Sequence, residues 1–257
     1  MISTTPGNYL IYNGINSREY GVFISGTGVY DAPQRDVETV AVPGRNGEVI
    51  FDNGRFMDID VIYPCYIPRG FERKFQEFKA AILADTGFRK LEDTYNPEYF
   101  REGYVIGPIT PATGPLNRSG KFDLTFRCKP QRYLISGQRT VNFTATGDII
   151  NPTRYPARPL IQISGAKNGS GMLDFTNGKN NYNVLFNDNV TGTMYLDSET
   201  GNAYYENTSG GSVRRVPLNN KILTQPSGFP QLLDGTTRIV ITGDVTRIAV
   251  LPRWWQV

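Results

Sequence analysis

At 257 residues the chain is long enough for one large or two ordinary domains, each able to bury a core of its own. Hydrophobic residues make up 39% and charged residues 20%, and the abundance of Gly (27), Tyr (15) and Phe (14) fits turn-rich β structure rather than helices or disorder. A formal net charge of +3 with no concentrated basic patch speaks against gripping nucleic acid, and the complete lack of histidine removes the commonest general base, the Ser-His and Cys-His nucleophile pairs and the usual His-containing zinc sites.

No run of about 18 apolar residues is present, so no helical membrane span is expected. Met1 to Gly7 lacks the basic start and apolar stretch of a secretion signal, which implies synthesis in the cytosol. Cys65 and Cys128 are too few to staple a chain of this length. Each lies among apolar neighbours, as buried free thiols do.

In chain order, Tyr9 to Ser25 alternates loosely around Asn13-Gly14 and predicts two short strands joined by a tight turn. A hairpin follows, with arms Asp36 to Val42 and Glu48 to Phe51 and a primed-type turn at Asn46-Gly47, whose residues both tolerate positive φ. Pro43 lacks a backbone donor, which sets the tip at a sheet edge or away from a sheet, free to reach a neighbour. Asp58 to Tyr66 predicts an alternating strand ending at Pro64 or Pro68. From Gly70 to Asp85 the apolar residues Phe71, Phe75, Phe78, Ala81 and Ile82 recur three or four apart, the spacing of a helix with one face on a core, and Gly87 suits its C-terminal cap.

Phe88 to Asp93 is a strand candidate, Thr94 to Gly107 a polar aromatic segment, and Pro108 to Gly120 a long loop. Lys121 to Cys128 alternates without a break, and Lys129-Pro130 ends it. Gln131 to Gln138 reads as the passage to a second unit. From Thr140 onward turn signals recur every eight to twelve residues or so, as in a β-sandwich or jelly roll. Strands are expected at Val141 to Ala145, Leu160 to Ser164, Met172 to Thr176, Asn181 to Asn187, Thr193 to Asp197, Asn202 to Tyr205, Thr237 to Thr242 and Val245 to Leu251.

Candidate chemistry is sparse. The acidic pairs Asp58 with Asp60, Glu92 with Asp93 and Asp197 with Glu199 read as solvated polar positions, and the Asp197 to Gly201 stretch lacks the alternating oxygen ligands of a calcium loop. The glycine-rich pieces Gly165 to Gly171 and Ser209 to Ser212 lead into no helix that could hold a phosphate. No catalytic, cofactor or metal residue is assigned. Tyr195, Tyr204, Tyr205, Trp254 and Trp255 offer ring surfaces for a partner or a glycan. In an extended chain Trp254 and Trp255 point to opposite faces, so at most one is core.

Seven pieces, in order, carry a family resemblance: Val42-Pro43-Gly44-Arg45-Asn46-Gly47-Glu48; the lone amphipathic helix; Phe126-Arg127-Cys128-Lys129-Pro130; Asn151-Pro152-Thr153 with Pro156 and Pro159-Leu160-Ile161; Tyr195-Leu196-Asp197 leading to Ala203-Tyr204; Phe229-Pro230 with Gly235; and Pro252-Arg253. Over nearly its full length the chain resembles the distal tail protein of long-tailed, siphovirus-type phages, the hub of the tail tip. The resemblance implies a mainly β protein of two domains. Residues 1–135 would form a ring-building N-terminal β-sandwich with one α-helix and a protruding hairpin arm, and residues 136–257 an outward-facing galectin-like β-sandwich.

It also implies a homo-hexameric ring whose arms, here Val42 to Asn53, reach the neighbouring protomer, with Val42 to Glu48 as the interface residues. The ring would join the tail tube protein to the tail-tip adhesin or lysin, hold receptor-binding proteins, and leave a channel that DNA passes without specific binding, all in the virion's tail tip. Up to residue 135 the chain has 16 basic and 16 acidic side chains, and the remainder 11 and 8, so the ring domain carries no excess charge. The alternative is a carbohydrate-binding module for the host cell wall working through Tyr204, Tyr205 and Trp254.

Overall fold

The computed structural model describes residues 7–26, 29–165, 172–186, 193–209 and 212–257. The chain divides into two compact units, Met1–Arg132 with Val257, and Tyr133–Gln256. In order, the first holds β1 (Leu10–Tyr12), β2 (Ile15–Asn16), β3 (Phe23–Ile24), β4 (Arg35–Ala41), β5 (Glu48–Phe56), β6 (Ile59–Ile67), α1 (Phe71–Ile82), β7 (Arg89–Asp93), β8 (Tyr99–Ile106), β9 (Ala112–Thr113) and β10 (Gly120–Leu134), the last running two residues past the boundary. Asn13 and Gly14, both at positive φ, make the predicted tight turn between β1 and β2.

The main sheet of this unit runs β2-β1-β7-β8-β10-β6-β3. Tyr12 on β1 lies 5.1 Å from Phe126 on β10, ring centroid to ring centroid, although β7 and β8 intervene. Strands three steps apart in a flat sheet stand about 14 Å apart, so this sheet curls around its core. Helix α1 fills the concavity with the predicted residues: Phe71, Phe75, Phe78 and Ile82 are buried, and Phe75 meets Phe122 edge-on at 5.0 Å. The start of the helix sits tightly on β10, because a Cβ at Gly120 would stand 2.4 Å from the Phe71 ring.

Two expected boundaries move, and β6 takes the second of its two expected stops, at Pro68. The helix ends at Ile82 with Leu83 as its cap, five residues before the predicted Gly87 would come into play, because Leu83 and Ala84 N–H already bond the Lys79 and Ala81 carbonyls in a tightened last turn. Strand β6 passes through Pro64 to Ile67: the Pro64 carbonyl accepts from Ser25, so its donor-less nitrogen faces the side where β3 is only two residues long. Strand β10 continues through Pro130 because its ladder with β6 stops at Cys128↔Ile59, and the missing amide lies beyond it. Both cysteines are buried free thiols, Cys65 pushed outside the usual thiol range and Cys128 up to about 12, in each case mainly by burial.

The second unit holds β11 (Val141–Phe143), β12 (Gly147–Asn151), β13 (Leu160–Ser164), β14 (Met172–Asn177), β15 (Asn180–Phe186), β16 (Met194–Asp197), β17 (Asn202–Ser209), β18 (Ser212–Pro217), β19 (Ile222–Gln225), β20 (Gly235–Thr242), β21 (Arg247–Leu251) and β22 (Trp255–Gln256). The first eleven form two antiparallel sheets, β11-β21-β13-β16-β17-β18 and β12-β20-β14-β15-β19, whose inner faces share one core that includes Ile161, Ile163, Leu173, Phe175, Leu196 and Val250, while β22 pairs with β10. Buried Asn151 pins the proline-rich passage into β13: its Nδ2 donates to the Tyr155 and Leu232 carbonyls, and its Oδ1 accepts from the Thr153 amide and hydroxyl. The protein is thus mainly β. α1 is the only α-helix among the described residues, and it is too short to cross a membrane.

Candidate assembly surfaces

Strands β4 and β5 form a two-stranded sheet of their own, joined to no other strand among the described residues. Their ladder runs from Arg35↔Phe56 to Ala41↔Glu48, which leaves Val42 to Gly47 as a six-residue tip. The predicted Asn46-Gly47 turn is not the one that forms. Arg45 N–H donates to the Val42 carbonyl at 3.1 Å, and Gly44 and Gly47 have positive φ while Asn46 does not. Proline pre-sets the first central position of a type II turn and glycine supplies positive φ at the second, so Pro43-Gly44 takes the reversal.

The shank is longer than the expected arm, and its base is pinned by charge. Asn53-Gly54, a dipeptide that usually signals a turn, forms a bulge in which Asp36 stands opposite Asn53 to Arg55. Asp36 accepts from Arg55 Nε at 2.6 Å and Asn53 Nδ2 at 3.2 Å, bonds that hold its carboxyl below the usual range. Arg35 pairs with Asp52 at 2.9 Å and lies over the Phe56 ring, and Met57 N–H closes the base on the Gln34 carbonyl.

By register Val40, Val49 and Phe51 share one face of the hairpin, and Val37, Thr39 and Ile50 the other. Ile50 is 65%, Phe51 56% and Val40 47% exposed. Apolar groups thus cover both faces with no core beneath either, and the outer edge of each strand offers unpaired backbone groups. Such an element is a template for a partner. Six of the seven predicted interface residues, Val42 to Gly47, form its tip, and the seventh, Glu48, begins β5 opposite Ala41. The exposed shank residues Ile50 and Phe51 lie within the arm expected at Val42 to Asn53 but outside its seven interface residues, and three apolar residues in a row, Val49 to Phe51, necessarily populate both faces of a strand.

The second predicted surface does not converge. Tyr204 faces outward on β17, stacked on Tyr195 at 5.2 Å, with Arg215 4.7 Å over its ring, and only 9% of it is exposed. Tyr205 packs against the core of the unit, and Trp254 is buried in that core. Trp255 is half-buried against the same core, its Nε1–H donating to the Pro156 carbonyl and its ring on Tyr155. Tyr204, Tyr205 and Trp254 therefore share no face.

The acidic pairs are engaged. Arg127 bonds Asp60 at 3.0 Å and lies 4.0 Å from Asp58, Lys90 pairs with Glu92, Tyr63 donates to Asp93, and Arg253 pairs with Asp197 at 2.6 Å and Glu199 at 3.2 Å. The central parts of both glycine-rich pieces, residues 166–171 and 210–211, lie outside the described residues, as do residues 1–6 of the amino terminus and Asn187 at the end of the strand expected at Asn181 to Asn187.

The curled sheet with its single helix, the free hairpin and the two-sheet second unit together match a known architecture. The Dit protein of phage SPP1, described as a paradigm of the hub adsorption apparatus in phages infecting Gram-positive bacteria, superposes with a TM-score of 0.68 at 15% identity, over 95% of this chain and 98% of that one. The chain therefore has the fold of the SPP1 Dit protein. A chain of the phage P2 baseplate in its activated conformation superposes with a TM-score of 0.51, at 10% identity with calcium and 9% with strontium, again over 95% of this chain. No family model and no curated protein matches the sequence.

Proposed function

We propose that this chain is a structural hub of a phage tail tip, assembled as a homo-hexameric ring in which the β4–β5 arm of each copy docks on the next. The single observation that carries the reading is the arm: apolar on both faces and joined to no other strand among the described residues, within the fold of a phage hub protein. A head-to-tail ring needs two different complementary surfaces on each protomer, and strand addition by an arm supplies backbone hydrogen bonds while covering an edge. Residues 1–135 build the ring, with Val42 to Glu48 and the shank behind them as contact, and residues 136–257 face outward.

On this reading the ring joins the tail tube protein to the tail-tip adhesin or lysin and anchors receptor-binding proteins. It works in the virion, leaves a DNA channel whose balanced charge lets the duplex slide, and has no reactive centre. Light scattering and negative-stain microscopy of the purified chain test the reading. Rings of about six times the 28.7 kDa chain are expected, and an Ile50→Asp/Phe51→Asp chain remains folded but monomeric. A wild-type chain that is monomeric in solution and forms no ring in virions overturns it.

A further inference from the structure

Within the first unit, a small cleft open to solvent is lined by Val29, Asp93, Asn96, Tyr99, Arg101 and Arg132. Arg101 is only 5% exposed. Its Nη2 donates to the Asp31 carbonyl at 3.2 Å, and its Nη1 is buried with no hydrogen-bond partner. Arg132 donates from Nη2 to Asn96 Oδ1 at 2.9 Å and lies 4.9 Å over the Tyr99 ring. Neither guanidinium has an ion-pair partner among the described residues.

The one carboxylate in the cleft, Asp93, is saturated by its own side: Oδ2 accepts from the Tyr63 hydroxyl, and Oδ1 from the amides of Tyr95 and Asn96. Two cations and one anion leave one positive charge without a counter-charge, at a place where burial already disfavours the charged form of Arg101.

We infer that this cleft receives one carboxylate group, held by the Arg132 guanidinium and drawn by the uncompensated charge of Arg101 behind it. A single negative charge completes the balance. The planar guanidinium fork matches a carboxylate, whereas a phosphate brings more charge and more oxygens than the cleft has donors to meet. The carboxylate has two possible sources, a free carboxylic acid or a second copy of the chain. In the second case the arm supplies it: Asp36 and Asp52 are already paired, while Glu38 and Glu48 make no ion pair among the described residues.

Line broadening of ¹³C-formate by the full-length protein, at constant ionic strength, tests the inference whatever the oligomeric state. Broadening by the wild type that falls about tenfold or more in Arg132→Gln, and likewise in Arg101→Met if that chain folds, supports a site open to free acids. Broadening absent from the wild type but gained in Glu38→Gln/Glu48→Gln, and lost again on adding Arg132→Gln, supports a site filled by a second copy. No broadening in either background, broadening unchanged by the arginine substitutions, or displacement of formate by equimolar inorganic phosphate overturns it. Absence of ring assembly in the same samples bears on the hub reading alone, since formate binding to a monomer leaves the cleft assignment intact.

Discussion

Two hairpins of this protein use similar residues to opposite ends. In β14–β15 Leu173, Phe175, Val184 and Phe186 recur at every second position, and all four are buried on the core of the second unit. In β4–β5 Val37, Val40, Ile50 and Phe51 are exposed, and apolar groups appear on both faces. One hairpin has a facing sheet, and the other has none among the described residues. The contrast is what motivates the proposed partner for the arm, because apolar surface of this kind is stabilised only when something removes it from water.

The sharpest way to break the comparison is to truncate one aromatic in each hairpin. Phe175→Ala should destabilise the second unit by about 3–5 kcal/mol in chemical denaturation, the cost of emptying a packed ring site. Phe51→Ala should leave the stability of the isolated chain within about 0.5 kcal/mol, as at exposed positions generally, yet weaken ring assembly by concentration-dependent light scattering. If Phe51→Ala unfolds the chain instead, the arm has an internal partner and the contrast fails.

A second pair of sites compares anchors. Arg253 is held between Asp197 and Glu199 with only 19% of its side chain exposed. Burial pushes Asp197 up, but the Arg253 hydrogen bond and charge and the amides of Glu199 and Thr200 outweigh it and hold the carboxyl below its usual range. Arg253→Ala should therefore cost the second unit roughly 1–3 kcal/mol at neutral pH, less than a fully buried pair because solvent still reaches it. At the arm, Gly44 has φ +81° with open space around it, so Gly44→Ala tests backbone strain alone. It should cost the tip about 1 kcal/mol, read as faster amide exchange at Arg45 and weaker assembly with unchanged global unfolding.

What could be read from the sequence follows from how local each cause is. Strand β13 matches its expected bounds, Leu160 to Ser164, and the buried face of α1 is the predicted one, because periodicity reports which side meets a core. Strand β8 was missed because Arg101 and Gly103 occupy buried positions where apolar residues would signal a strand. The edge strand β18 is too polar and exposed to show an alternation, and β19 is only four residues long. The existence of the arm was legible from its turn chemistry, but its length was not, since Asn53-Gly54 looks like a turn and is a bulge. The exposure of Ile50 and Phe51 depends on what the rest of the chain fails to provide, which no local pattern carries.

The smallest expected effect concerns the pin at the base of the arm. Arg55 and then Asn53, by hydrogen bonds to Asp36, hold that carboxyl below its ordinary value of 3.8. A depressed folded value means that the unfolded hairpin binds the proton more readily. The stabilisation is therefore complete above the ordinary value and is lost as pH falls through the lower folded one. Amide exchange at Gly54, whose N–H donates to Asp52 Oδ1, should accelerate over that acidic window beyond the intrinsic rate change. In Asp36→Asn the bulge should be looser at neutral pH and show no such step. Asp197 should show the same sign, but in the global stability of the second unit rather than in local exchange. Equal global loss from both aspartates would mean that the arm is folded into a core, and the difference between the two hairpins would disappear.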